Sequence, residues 1–283
     1  MDGSSTATPG AGTPAEVVQF RRSPAYLGVE LIDVAHSARR WSHLNGAFAF
    51  GTMWDWHGRI EYRRRRYDLP RGNMLTFDPN EFFDSQAFEG RAGSFGVIEV
   101  SPAKFEALCR AEGARGPIHF GAPVATPSAE LTRALSGLRS AVVRGTDTLE
   151  QQSWLAAVTH AAVATALERG TRVVGTFSPL GPCERLRDLL HSSESSTINL
   201  CDFAEQAGVS QFQLLRAFKK RYGSPPHAYR LHARILRARQ MLHAGFTVAE
   251  AAAANDFTDQ SHFTRHFRRI WGITPGRYAT LPR

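Results

Sequence analysis

Short apolar runs dominate the first hundred residues, and helical stripes dominate the rest. Segments 29–34, 47–54, 73–77 and 95–100 are rich in β-branched and aromatic residues and are punctuated by Gly, Pro, Asn and Asp. That pattern predicts many short strands closing into a sandwich or barrel over residues 17–127. A helix opens at Ser101-Pro102, with Ser as N-cap and Pro at the first helical position, and runs to about residue 111. Over 128–169 the spacing of Leu131, Leu135, Leu138 and Val142, then of Trp154, Val158 and Ala161, predicts two amphipathic helices. Such helices either cover the β domain or join two subunits, and a homodimer held mainly through 128–169 is the expectation. Gly170, Gly175, Pro179, Gly181 and Pro182 break any helix over 170–182, which reads as a linker. Residues 183–283 read as helices separated by short turns. Residues 1–16, rich in Ser, Thr, Ala, Gly and Pro, read as a disordered tail. With no basic start and no apolar core, they are not a signal peptide.

The last hundred residues contain an internal repeat at an offset of 49. Arg216, Phe218, Gly223, Pro226 and Tyr229 recur as Arg265, Phe267, Gly272, Pro275 and Tyr278, five identities within positions 216–229. Each unit predicts a helix, a tight turn and a second helix. In the first, Leu200, Phe203 and Ala204 share a face, Gly208 makes the turn, and Ser210 caps a helix whose inward residues are Leu214 and Phe218. In the second, Val248, Ala251 and Ala252 precede a turn at Asn255-Asp256, Asp259 is the cap, and Phe263 and Phe267 point inward. This is the helix-turn-helix pattern, whose second helix enters the DNA major groove. A helix over about 226–243, striped by Leu231, Ile235, Ala238 and Leu242, joins the units. At 1.5 Å per residue it spans roughly 27 Å, which with the flanking bodies suits two reading helices about one DNA turn apart.

Charge sharpens this picture. The net charge is +8, and residues 184–283 hold 15 Lys and Arg against 8 Asp and Glu, so nearly all the excess lies in the repeat. A basic domain joined to a neutral one points to a polyanionic partner. No apolar run approaches the roughly 18 residues of a membrane helix, and a cytoplasmic protein is the expectation. Cys109, Cys183 and Cys201 have neither zinc nor redox spacing, which predicts free thiols.

The repeat resembles the DNA-binding domain of the AraC/XylS family of transcription regulators. The residues that carry the resemblance run from Phe203-Ala204 through Gly208-Val209-Ser210 to Leu214, Arg216, Phe218, Lys219 and Lys220. They continue at Gly223, Pro226, Tyr229, Arg234, Ala238 and Leu242, then from Phe257 through Asp259, Gln260, Ser261, Phe263, Arg265 and Phe267 to Gly272, Thr274 and Pro275. Asp256 stands where the family usually has Gly, and Ala251 replaces a larger aliphatic residue. The stretch from Leu69-Pro70-Arg71-Gly72 to Asp78-Pro79-Asn80-Glu81 more weakly resembles that family's cupin-like effector domain. The resemblance implies an α+β chain: a cupin-like β-barrel with dimerisation helices, then an all-α double helix-turn-helix domain. It implies double-stranded promoter DNA as partner, a small-molecule effector, RNA polymerase as a further candidate partner, and activation of transcription.

With Leu214 and Phe218 inward, the opposite face of the first reading helix carries Phe212, Leu215, Arg216 and Lys219. The matching face of the second carries Gln260, Ser261, Thr264, Arg265 and Arg268. The first is half apolar and suits thymine methyls, with Arg216 for a guanine edge. The second suits hydrogen bonds, with Arg265 for guanine and Gln260 for adenine. Four consecutive arginines, residues 63–66, follow Tyr62. They read as a solvated turn, or as an anion-binding wall of Tyr62, Arg64 and Arg66 that would favour an acidic effector. His262 and His266 have chelating spacing but no matched carboxylate or Cys, and no cofactor or metal is expected. Two rivals remain: a cupin-type enzyme with an appended nucleic-acid-binding domain, and a regulator controlled by a protein partner.

Overall fold

The computed structural model describes residues 14–23, 25, 28–111, 118–120, 124–125, 128–168, 181–192 and 198–282. Most of the expected tail and of the 170–182 linker lies outside them. The architecture is α+β, as the sequence predicts.

The strands pair as two antiparallel sheets. One orders β1 (Val17–Arg22), β2 (Val29–Ser37), β9 (Gly93–Val100), β4 (Phe48–Met53), β7 (Met74–Phe77) and β10 (Val124–Ala125). The other orders β3 (Trp41–Asn45), β8 (Glu81–Ala87), β5 (Gly58–Tyr62) and β6 (Arg65–Leu69). Period-2 alternation divides the larger sheet cleanly. Val29, Leu31, Phe48, Phe50, Ile98 and Val100 face outward onto helices, while Ile32, Val34, Gly51 and Val97 face the smaller sheet. Both faces are thus apolar, which is why these strands read as near-continuous hydrophobic runs rather than as alternation.

The helices on the outer face are α1 (Pro102–Ala111), α2 (Ala129–Arg144) and α3 (Thr148–Glu168). Ser128 caps α2 by accepting from the Leu131 amide, and Gly145 ends it in the left-handed region. The expected interface stripe of Leu131, Leu135, Leu138 and Val142 is buried in the monomer, in one cluster with Leu155 and Val158 of α3 and Leu31 of β2. Each such side chain contributes about 1.5–3 kcal/mol as core, so the stripe is not available to a second copy.

Among the described residues, seven helices follow: α4 (Pro182–His191), α5 (Leu200–Gln206), α6 (Gln211–Tyr222), α7 (Pro226–Ala244), α8 (Val248–Ala253), α9 (Gln260–Trp271) and α10 (Pro275–Ala279). Pro182, read from sequence as a linker breaker, instead opens α4, where its missing N–H costs nothing.

The helical part docks on the β part, with α7 and α9 both against β3. At the centre of the joint lies a buried charge cluster. Arg239 of α7 donates to Glu30 of β2 and, at 2.7 Å, to Glu99 of β9. Glu30 also accepts from Arg22 of β1 at 3.0 Å and from the Tyr278 hydroxyl of α10 at 2.6 Å, with His243 at 3.2 Å. Arg22 reaches on to the carbonyls of Tyr278 and Leu281. Burial alone would raise the Glu30 carboxyl, but Arg239 and the bonds from His243, Tyr278 and Arg22 outweigh it and hold the group ionised well below the usual carboxylate range. The Arg239 guanidinium is likewise held protonated: burial opposes it, and Glu99, Tyr278 and Glu30 prevail.

Removing one member of such a cluster leaves an uncompensated buried charge, at a cost of about 3–5 kcal/mol. Arg239→Met is expected to split a single urea transition into two, the helical part separating from the β part first. Pairing it with Glu99→Gln should recover some of the loss. An unchanged single transition in Arg239→Met would show that the cluster does not hold the joint.

Candidate nucleic-acid interface and internal cavity

The repeat seen in sequence is a repeat in space. Ser210 caps α6 through a reciprocal pair with Gln213, at 3.2 and 3.0 Å. Asp259 caps α9 by accepting from the His262 amide at 2.6 Å. Both helices end on a glycine in the left-handed region, Gly223 at φ 75° and Gly272 at φ 77°. The turns that precede them also match: Gly208 has φ 67° and Asp256 has φ 54°. Asp256 therefore holds the conformation that the sequence comparison assigned to a glycine.

Arginines of α7 brace the second of these turns and the end of α4. Arg234 donates to the carbonyls of Asn255, at 2.5 Å, and of Asp256. Arg237 donates to the Asn255 side chain at 3.1 Å and to the carbonyls of His191 and Ser192 at 2.9 Å. One connector helix thus ties the second unit to α4, which packs on α6.

Leu214 and Phe218 of α6, and Phe263 and Phe267 of α9, are buried as the spacing required. On α6, Phe212 is 72% exposed, Arg216 and Lys219 are exposed, and Leu215 is half-buried. On α9, Gln260, Ser261, Arg265 and Arg268 are exposed and Thr264 is half-buried. Phe212 is the anomaly: an aromatic ring left in solvent at the start of a helix otherwise buried on its other face. His262 and His266 lie side by side, 4.6 Å between rings, and no group of three His, Cys, Asp or Glu suited to a metal occurs among the described residues.

The arginine run forms the β5–β6 hairpin. Tyr62 pairs with Arg65, leaving Arg63 and Arg64 as a two-residue turn with φ 48° and 65°. The turn breaks the alternation on which the proposed wall depended. Arg64 and Arg66 are exposed, whereas Tyr62 is buried between the sheets, so the three are not brought together. Arg63 is instead structural, paired with Asp78 at 2.7 Å and Glu81 at 2.9 Å.

Sequence reading missed the feature that the two sheets create. Between them lies a cavity of about 60 Å³ with mostly aromatic and aliphatic walls. Its lining comes from the β part except for Trp271, the last residue of α9. Trp271 packs between His43, 5.0 Å ring to ring, and the Arg239 guanidinium at 3.9 Å. His43 Nδ1, Trp56 Nε1 and Trp271 Nε1 are buried with no hydrogen-bond partner among the described residues. His43 is held neutral, its pKa pushed far down by burial and then by His232, Arg239 and Arg39. No local sequence signal marks this site, because its residues lie on seven strands and one distant helix.

A family model described as a helix-turn-helix domain matches residues 203–280. The uncharacterized HTH-type transcriptional regulator YbfI of Bacillus subtilis (strain 168) is 25% identical over 226 residues, 78% of this chain and 80% of that protein. The HTH-type transcriptional regulator ExsA of Pseudomonas aeruginosa is 30% identical over 115 residues, 36% of this chain and 41% of its own length. Among solved structures, unsaturated fatty acid bound wild-type ToxT from Vibrio cholerae strain SCE256 has a TM-score of 0.57 at 12% identity, covering 94% of this chain and 95% of that one. That likeness shows a shared fold over both parts. No helix among the described residues is long and apolar enough to cross a membrane.

Two outcomes follow from this geometry. Asp256→Gly removes a left-handed non-glycine residue and is expected to be neutral or stabilising by up to about 1 kcal/mol, whereas Asp256→Val should destabilise, both read from denaturant midpoints. The second concerns pH. His191 and His232 are each pulled down to about 4, chiefly by burial and secondarily by neighbouring cations. The unfolded chain, with histidines near 6.5, then binds protons before the folded one. Stability is therefore full above about pH 6.5 and falls as pH drops towards 4, at roughly 1.4 kcal/mol per unit of depression for each group. Urea midpoints that stay flat from pH 7 to 4.5 would contradict this, and His232→Gln should lessen the slope.

Proposed function

We propose that the chain is a DNA-binding transcription regulator of the AraC/XylS type, which reads promoter DNA with the outer faces of α6 and α9 under the control of a small molecule bound in the β part. The observation that carries this is the duplicated frame. Two helices share the same turn, cap and terminal glycine, and each presents an exposed basic face. Arg216, Lys219, Arg265 and Arg268 make no ion pair or hydrogen bond with the described residues, which leaves their donors for phosphates and base edges. Both relatives named above are transcriptional regulators, which supports a regulator over the cupin-type enzyme. For the effector, the support is the fold shared with a protein whose structure was determined with a bound fatty acid. A cytoplasmic homodimer, with RNA polymerase as a further partner in activation, completes the reading. Since the α2 stripe is consumed inside the monomer, the second copy would meet the outward side of the α2–α3 pair, where Leu149 is 72% exposed. Leu149→Glu should then shift sedimentation towards a monomer without lowering stability.

The reading faces are tested by binding to a library of single-base operator variants. Arg265→Ala is expected to lose about 1–3 kcal/mol on the preferred site and to relax selection at one base pair. Leu215→Ala should weaken a thymine preference in the other half of the site. Lys219→Ala should weaken all variants alike and lower the log–log salt slope by about 0.9. Uniform weakening in all three variants would reduce both helices to backbone contacts.

A further inference from the structure

Resting on the effector-controlled reading above, we propose that the cavity between the two sheets takes an uncharged, ring-sized apolar molecule bearing a hydrogen-bond acceptor, and that Trp271 is the wall this molecule displaces. The walls set the apolar character: Trp41, Phe77, Phe83 and Phe95 with Ile60 and Leu75 leave little polar surface. The unpartnered groups set the polar end. His43 and Trp56 line the cavity, both more than nine-tenths buried, and His43 Nδ1 and Trp56 Nε1 have no hydrogen-bond partner among the described residues. An indole N–H can only donate, so Trp56 requires an acceptor, and a carbonyl or hydroxyl oxygen supplies one. Leaving such donors buried and unpaired is costly, which makes them a source of affinity for any ligand that satisfies them.

Charge narrows the class further. An aromatic box is a familiar seat for a quaternary ammonium group. Here the Arg39 and Arg239 guanidinia bear on His43 and help to hold it neutral, and no unpaired carboxylate is among the described lining residues. Glu99, the carboxylate on the lining, is taken by Arg239. A ligand carboxylate fares no better: no arginine is on the lining, the Arg239 guanidinium on Trp271 is committed to Glu30 and Glu99, and Arg39, stacked on Trp41, is paired with Glu16 at 3.7 Å. A neutral molecule avoids both penalties.

Size supplies the coupling. A cavity of about 150 Å³ accommodates benzene, whereas this one measures about 60 Å³. A ring therefore fits only if a wall moves. Seventeen of the eighteen lining residues belong to the two sheets or the strand-flanking turn at Trp56, and Trp271 alone belongs to the other domain. Trp271 lies three residues beyond Arg268 on the same helix and is followed by the glycine that ends it. Its withdrawal moves α9, and with it the second reading face, relative to the β part. Ligand and closed joint thus exclude one another, which gives the effector differential affinity for two arrangements of the DNA-binding domain.

The test uses the full chain and five probes of known chemistry: acetophenone and benzyl alcohol (neutral acceptors), toluene (no acceptor), benzoate and choline. Calorimetry is expected to show the two neutral acceptors binding about tenfold or more tightly than toluene, benzoate or choline. Either should change affinity for operator DNA by roughly 5–150-fold. Trp271→Ala should bind them at least as well but lose that change, and His43→Leu, checked for folding by its thermal midpoint, should reduce acetophenone towards toluene. The proposal is overturned if benzoate or choline binds best, if neither neutral acceptor binds wild type or Trp271→Ala, or if the DNA response survives Trp271→Ala. DNA affinity of the unliganded chain is scored separately. Its absence would sink the regulator reading while the ligand ranking still judges the cavity.

Discussion

The buried guanidinium of Arg239 organises this molecule. It lies where β2, β9, α7, α9 and α10 converge, and it has no counterpart in solvent that could replace Glu30 and Glu99 once water is excluded. Such a cluster adds little to stability relative to an apolar joint, but it penalises every misdocked arrangement that leaves one charge unpaired. It therefore specifies a single orientation of the two parts. Tyr278 and Arg22 extend that specification to the chain's last helix and first strand.

Helix α7 carries the orientation outward. Within six residues it supplies Arg234 to the second turn, Arg237 to that turn and to the end of α4, and Arg239 to the β part. The step of three keeps Arg234 and Arg237 on one side of the rod, where both reach Asn255, and the step of two turns Arg239 to another side, so the second unit, the end of α4 and the joint share a common reference. The reading faces stay in solvent because α6 and α9 turn their inward residues, not their outward ones, to this rod. The β part engages the far end of α9, through Trp271 and the approach of Val18 and Arg39 to Gly272, and Phe82 of β8 approaches Gly223 at the end of α6. Contacts at the C-terminal ends of these helices leave the inward residues of both units in place when they are released.

The helical domain was legible residue by residue because its determinants are local. Ser210, Asp259, Gly208, Gly223 and Gly272 act within one turn of themselves, and the 49-residue repeat displays each twice. The β part was legible as strands but not as a site. Tyr62, Arg64 and Arg66 looked like neighbours on a strand face until two consecutive left-handed residues turned the chain between them. The α2 stripe showed the same ambiguity in another form: apolar periodicity states that a face is buried, and only the packed β sheet shows by what.

The sequence by itself determined the class of the protein, the bounds of α6 and α9, and which of their side chains turn inward, because capping, turn conformation and helical periodicity are properties of neighbours in the chain. The tertiary structure alone decided which charges pair across the joint and that Trp271 closes the cavity between the sheets. Those contacts link residues more than a hundred positions apart, Arg239 to Glu30 and Trp271 to His43, and no local preference of either partner encodes the other. They arise when apolar burial brings the surfaces together and the cost of an unpaired buried charge selects one alignment among them.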